Sequence, residues 1–139
     1  MVRLTPLVAV LLLLAACSSE HAMKENPNPE VMTVAELLSS PSRYRGGRVA
    51  LCGVARIAFE GTAVYESLDL ATKGLGRAVW IEVDPAEASS LHLKQVEVIG
   101  VFTDTEHGHM DAFDGEVNPV EVIAESTACS HTVASWDPS

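Results

Sequence analysis

The hydrophobic and polar residues of this chain alternate along several segments, and this pattern predicts mostly β-structure. A long first strand follows Gly46-Gly47, and its predicted core-facing residues are Val49, Leu51, Gly53, Ala55, Ile57 and Phe59. Further strands are predicted over residues 63–68, 78–83, 95–104 and 117–125. In the strand at 78–83, Val79 and Ile81 point one way and Trp80 the other.

Two short helices are predicted from capping signals. Thr33 with Glu36 three residues later forms a capping box, so a helix should run from about Val34 to Ser40. Asp84-Pro85-Ala86-Glu87 combines an N-cap acid, a proline at the first helical position and an early glutamate. This second pattern predicts a helix that ends near Leu93.

The predicted order is a helix, three strands, a helix and two strands. This order resembles the OB-fold, a five-stranded barrel with a helix between its third and fourth strands. We therefore predict a mainly β, OB-fold-like five-stranded barrel over residues 33–127, with a small open sheet or roll as the alternative.

The N-terminal residues, 1–16, are typical of a secretory signal sequence. The apolar run from Leu7 to Ala16 follows Arg3 and is too short to span a bilayer. Leu14-Ala15-Ala16-Cys17 resembles the lipobox of bacterial lipoproteins, which implies cleavage after residue 16 and lipidation of Cys17. Residues 17–32 are then a lipidated cysteine and a flexible tether, and residues 128–139 a C-terminal tail. Ser18 resembles the signal for outer-membrane sorting, which implies a lipid-anchored domain facing the periplasm.

Removal of residues 1–16 leaves eight Lys and Arg against nineteen Asp and Glu. Proteins that bind nucleic acid usually present a basic stripe, and this chain has none. We therefore expect no nucleic-acid partner.

Several strand and loop motifs resemble a family of uncharacterised bacterial OB-like lipoproteins. These motifs are Gly47-Arg48-Val49, Ala63-Val64-Tyr65, Val79-Trp80-Ile81, Val96-Glu97-Val98-Ile99-Gly100, and Gly108-His109-Met110 followed by Phe113 and Gly115. The resemblance covers residues 35–125 and departs from the family at Asp111, Asp114, Cys52 and Cys129. It implies the fold and no activity, because the family has none established.

Cys52 and Cys129 are the cysteines that remain after Cys17 is lipidated. In an oxidising compartment a disulfide that pins the tail is one interpretation, and two separate thiols are the other.

His107-Gly108-His109-Met110-Asp111 is a local cluster of residue types that bind metals. His107, His109 and Asp111 are candidate ligands for copper or zinc. The more conservative interpretation is a tight polar turn whose imidazoles bond to the backbone.

A second candidate surface follows from the predicted fold, because OB barrels bind ligands on strands two and three and on the adjoining loops. The candidate contact residues are Tyr65, Trp80, His109, Met110 and Phe113. A helix or the tail could equally cover Trp80.

No nucleophile elbow or phosphate loop is present, so we expect no enzyme. The favoured hypothesis is an envelope lipoprotein that acts as a binding or assembly module for an envelope protein or glycan, and the alternative is a periplasmic metal-binding lipoprotein.

Overall fold

The computed structural model describes residues 27–127 and residue 129. The strands are β1 Val31–Thr33, β2 Arg48–Arg56, β3 Ala63–Tyr65, β4 Ala78–Ile81, β5 Gln95–Thr103 and β6 Glu116–Glu125. The helices are α1 Val34–Ser39, α2 Pro41–Tyr44 and α3 Leu68–Lys73. The predicted signal sequence, Cys17, most of the tether, and the tail apart from Cys129 lie outside the described residues.

The strands form one closed barrel. β2 pairs with β3, β3 with β4, β4 with β6, β6 with β5, and β5 returns to β2. All of these pairings are antiparallel except β4–β6, which is parallel. The prediction of a mainly β, OB-fold-like five-stranded barrel is confirmed. β1 adds a strand parallel to β2, and because Val31 pairs with Ala50, ordered pairing begins two residues before the predicted boundary.

The barrel interior holds the principal hydrophobic core. β5 alternates regularly between buried and half-buried residues, as expected for a strand with one face inward. Val34 and Leu37 of α1 pack here against the inward side chains of the strands. These strand residues are Val49, Leu51, Ala55, Val64, Val79, Ile81, Val96, Val98, Phe102 and Val117. α1 begins with the predicted capping box, in which Thr33 Oγ1 accepts from Glu36 N at 3.1 Å and Glu36 Oε2 accepts from Thr33 N at 2.7 Å.

A second, smaller hydrophobic cluster lies outside the barrel. It contains Val54, Ala63, Tyr65, Ala71 and Ala78, and Leu70, Leu93 and Phe113 pack against it. α3 supplies Ala71 and Leu70 to this cluster. β2 is therefore buried on both faces, which simple alternation does not predict.

α3 is a helix where we predicted the end of a strand. The strand at 63–68 stops at Tyr65 because Ser67 caps a helix, its Oγ accepting from Leu70 N at 3.3 Å. Gly74, with φ of 63°, ends the helix in the left-handed conformation.

The predicted helix from Asp84 to Leu93 is reduced to a turn and a single 3₁₀ turn, Ser89–Leu91. Asp84 does cap the segment, since its Oδ1 accepts from Ala86 N at 2.8 Å. However, Leu93 N already donates to Ala55 O at 2.7 Å, so the chain joins the barrel before a longer helix can form.

Phe59 was predicted to face the core and is instead 86% exposed. β2 ends at Arg56, and the chain then turns, with Gly61 N donating to Ala58 O at 3.2 Å. The alternation of hydrophobic residues thus continues in the sequence beyond the point where the strand ends.

Candidate functional site

Trp80 lies on the outer face of β4, opposite Val79 and Ile81, as its position in the strand requires. The indole is half-buried. Its Nε1 donates to Glu82 Oε2 at 2.9 Å, and its ring centroid lies 5.2 Å from that of Phe113 in a tilted arrangement. Trp80 is therefore partly covered by the segment that carries Phe113.

That covering segment, residues 107–114, is hydrogen-bonded to β4 and to itself. Phe113 N donates to His107 O at 3.1 Å, which closes the segment into a compact loop. Asp114 and Ala78 exchange two bonds: Asp114 N donates to Ala78 O at 3.0 Å, and Ala78 N donates to Asp114 Oδ2 at 3.0 Å. Asp114 thus holds the loop in place, a role that its sequence position did not indicate.

Tyr65 does not lie on an exposed aromatic face. It is 5% exposed and belongs to the second cluster, beneath α3. Burial raises the pKa of its phenol above the ordinary value, while the nearby Arg56 acts in the opposite direction. Tyr65 does leave the outer face of β3, but α3, a helix that we did not predict, covers it, so its side chain is not exposed to a ligand in this structure.

The tip of the 107–114 loop has an unusual backbone. Met110 and Asp111 both have φ of 55°, in the left-handed region that non-glycine residues rarely adopt. The Met110 side chain is 85% exposed. The fold thus holds a large apolar side chain in solvent on a strained turn, an arrangement frequent at functional sites.

The loop between β2 and β3, residues 57–62, lies against the 107–114 loop. Thr62 is buried and braces the 57–62 loop, since its Oγ1 donates to Ala58 O at 2.8 Å. At its tip, Glu60 Oε2 lies 3.8 Å from His109 Nε2. We call the surface formed by Phe59, Glu60, His109 and Met110 the loop-tip surface.

The loop-tip surface lies in an acidic region. Residues 57–62 and 104–114 include five carboxylates and no lysine or arginine. Asp104 is paired through a bidentate contact with Arg45, in which Nη2 lies 2.9 Å from Oδ2. The Arg45 hydrogen bonds lower the pKa of Asp104, and the same pairing raises the pKa of Arg45.

The predicted metal ligands are not gathered into one site. Among the described residues, a single group of three or more His, Cys, Asp and Glu side chains has its donor atoms within 4.8 Å of one another, and it is Cys52, Glu97 and Cys129. His107, His109 and Asp111 therefore do not form such a group. His109 instead faces Glu60, and Phe113 N donates to the carbonyl of His107.

Cys52 and Cys129 form a disulfide with a Cα–Cα distance of 5.5 Å. Both residues are almost completely buried, at 1% and 0% exposure. Cys52 lies on the face of β2 that we predicted to point outward, and Cys129 covers it from beyond the end of β6.

A cleft of about 580 Å³ between β6 and the segment after β4 is lined by four carboxylates, those of Glu82, Asp84, Glu87 and Glu121. Three of the four are engaged within the protein. Glu82 accepts from Trp80, Asp84 accepts from Ala86 N, and Glu121 forms a 2.7 Å ion pair with Arg48. Most of the carboxylates in this cleft are therefore already hydrogen-bonded or ion-paired within the protein.

In the described part of the chain, no helix is both long and apolar enough to cross a membrane. Comparisons with known proteins found no matching family model, no curated protein of significant similarity and no solved structure of significant similarity.

Proposed function

We propose that this chain is a lipid-anchored lipoprotein of the bacterial cell envelope whose OB-like domain acts as a non-catalytic binding or assembly module. The observation that carries the proposal is the loop-tip surface. Phe59 and Met110 are the most exposed large hydrophobic side chains among the described residues, and the loops that carry them meet at Glu60 and His109. A compact barrel would not keep both in water for its own stability.

Burial of the two side chains by a partner is energetically favourable. Removing a Phe or Met side chain from water stabilises by about 1.5–3 kcal/mol. The proposed contact region keeps His109 and Met110 of the predicted set and adds Phe59 and Glu60. It leaves out Tyr65 and Trp80, which are largely covered. An envelope protein or a glycan fits this surface better than a nucleic acid, whose phosphates the surrounding carboxylates would repel.

The lipobox motif at Leu14-Ala15-Ala16-Cys17 supports the anchored location. Ser18 supports sorting to the outer membrane, with the domain facing the periplasm. Residues 18–30 are polar and rich in Asn and Pro, which suits a spacer between the lipid and the barrel.

The contact surface is tested by photo-crosslinking in a diderm host that expresses the full chain. A photo-reactive amino acid replaces Phe59, Met110 or, as a control, the exposed Thr72 on α3. We expect positions 59 and 110 to give the same discrete adduct and position 72 to give none. Absence of an adduct at both loop positions, or the same adduct at position 72, would contradict the proposed module.

The anchor is tested separately with Cys17→Ser. We expect the wild-type chain to incorporate a palmitate analogue and to sediment with membranes, and the variant to do neither. Ser19→Ala is the matched control, because it changes a neighbouring residue without removing the thiol. Membrane sedimentation of Cys17→Ser equal to that of the wild type would exclude lipidation of Cys17 as the anchor.

A further inference from the structure

Cys52, Glu97 and Cys129 place two sulfur atoms and a carboxylate oxygen within 4.8 Å of one another. The three residues come from different parts of the chain. Cys52 is on β2, Glu97 on β5, and Cys129 follows the end of β6. Cys52 and Glu97 are directly paired across the β2–β5 ladder, so their side chains leave the same face of the sheet.

The sheet positions two of the three side chains, those of Cys52 and Glu97. β2 pairs with β5 over seven consecutive residue pairs, from Arg48–Val101 to Val54–Gln95. Cys129 Sγ lies 3.4 Å from Val96 O, next to Glu97 in the same strand. Ligands placed on paired strands are positioned more accurately than ligands on loops.

Glu97 has a carboxylate that the fold does not otherwise use. Glu97 is half-buried, and its side-chain oxygens make no hydrogen bond or ion pair with another described residue. This distinguishes it from Glu82, Glu116, Glu121 and Glu125, which all have such partners. A partly desolvated carboxylate is unfavourable without a counter-charge, and a cation beside it would supply one.

We propose that, in the dithiol state of the protein, Cys52, Cys129 and Glu97 bind one zinc ion. Two thiolates and one carboxylate suit Zn²⁺, whereas copper(I) favours sulfur ligands and magnesium or calcium oxygen ligands. Two sulfurs held about 2.3 Å from zinc in a tetrahedral site lie about 3.8 Å apart. The Cα atoms of Cys52 and Cys129 lie 5.5 Å apart, a distance at which two cysteine side chains can place their sulfurs at that separation.

The binding step involves no oxidation or reduction. Zn²⁺ replaces the two thiol protons, which pass to solvent, and the Glu97 carboxylate and a water complete the coordination. Formation of the disulfide instead removes two electrons and the same two protons, and it leaves no thiolates for the metal. The two states are therefore mutually exclusive.

The test measures zinc affinity by competition with a chromophoric chelator. The full chain is purified in non-ionic detergent, reduced with a phosphine and desalted under nitrogen, and it is compared with the oxidised chain. We expect one zinc per reduced chain and at least a hundredfold weaker binding by the oxidised chain. Glu97→Gln keeps both cysteines, and it should weaken binding to the reduced chain by about tenfold or more.

Two variants make the result specific. Glu87→Gln removes the same charge at an exposed position and should bind zinc like the wild type. His107→Ala/His109→Ala tests whether zinc binds instead at the loop predicted from the sequence, and it should also bind like the wild type. Equal affinity of the reduced and oxidised chains, wild-type affinity in Glu97→Gln, or loss of binding in the histidine variant would each overturn the proposed site.

Discussion

The position of the 107–114 loop depends strongly on Gly108. Its φ of 66° and ψ of −155° are accessible almost only to glycine, and a Cβ there would lie 2.5 Å from Trp80 Cγ. We predict that Gly108→Ala destabilises the fold by about 2 kcal/mol, since it combines backbone strain with overpacking. Urea unfolding gives the free-energy change, and the fluorescence of Trp80 in a Trp136→Phe background reports whether the loop has lifted.

Gly61→Ala is the matched control for this change. Its Cβ would have no neighbour closer than 3.9 Å, and its φ lies outside the left-handed region. We expect it to leave the free energy of unfolding unchanged or slightly raised, because alanine restricts the unfolded chain. If Gly108→Ala were as stable as Gly61→Ala, the close packing of the loop on Trp80 would be wrong.

The Arg45–Asp104 pair predicts how stability depends on pH. Hydrogen bonds from Arg45 lower the pKa of Asp104 in the folded protein below the value of about 3.9 expected in the unfolded chain. The stabilising contribution is therefore present above about pH 4, and it is lost as the pH falls through the folded-state pKa.

Asp104→Asn removes the ionisable group and keeps its shape. We expect the wild type to be the more stable protein at neutral pH and the two to converge in acid, as measured by urea unfolding across pH. NMR titration of the wild type should place the Asp104 pKa below the value of about 3.9 for an unperturbed aspartate. A stability difference that persists unchanged in strong acid would show that the effect is not electrostatic.

At the level of single elements, the capping box of α1 is the clearest link between sequence and structure. Thr33 Oγ1 and Glu36 Oε2 make the two reciprocal bonds that the spacing predicts. We predict that Thr33→Ala destabilises the protein by about 1 kcal/mol, and that Thr33→Ser, which keeps the hydroxyl, restores most of the loss. Thermal unfolding of the three proteins measures this order. Equal stability of the alanine and serine variants would assign the effect to lost packing rather than to the cap.

Local signals predicted most of the elements but not all of them. α3 was missed although Ser67 and Gly74 cap it, and the signal at Asp84 was overridden because Leu93 bonds to Ala55. The strands of the barrel follow from local alternation, and the cap of α1 from two residues. Alternation also assigned Tyr65 and Trp80 to an outer face, but it carries no information on what covers that face. α3 covers Tyr65, and the loop with Gly108 covers Trp80.

The same limit of local signals applies to the candidate sites. His107 and His109 are close in sequence, and the predicted ligand set assumed that they are close in space. In the structure the backbone reverses at Met110 and Asp111, and His109 turns toward Glu60. Cys52, Glu97 and Cys129 are far apart in sequence, and only the pairing of β2 with β5 and the path of the chain after β6 bring them together. A local motif could not reveal that group.

At the scale of the whole molecule, β6 closes the barrel and the disulfide secures that closure. β6 pairs with β4 on one side and with β5 on the other. Cys129, just beyond β6, is then bonded to Cys52 in the centre of β2 across 77 residues. The last strand is thus held by hydrogen bonds to β4 and β5, and the segment after it is linked covalently to β2.

The covalent link predicts a large effect on stability. In the chain-entropy treatment, closing a loop of this length restricts the unfolded state by about 4.5 kcal/mol at 25 °C, and measured effects of disulfides are typically about 2–4 kcal/mol. We predict that Cys52→Ser/Cys129→Ser loses about 2–4 kcal/mol of unfolding free energy, measured by urea denaturation of the full chain in detergent. The measurement is made with a chelator present, because zinc bound to reduced cysteines would itself stabilise the fold. Under these conditions the reduced wild type should match the serine variant, and a loss below about 1 kcal/mol would mean that the barrel closes without help from the disulfide.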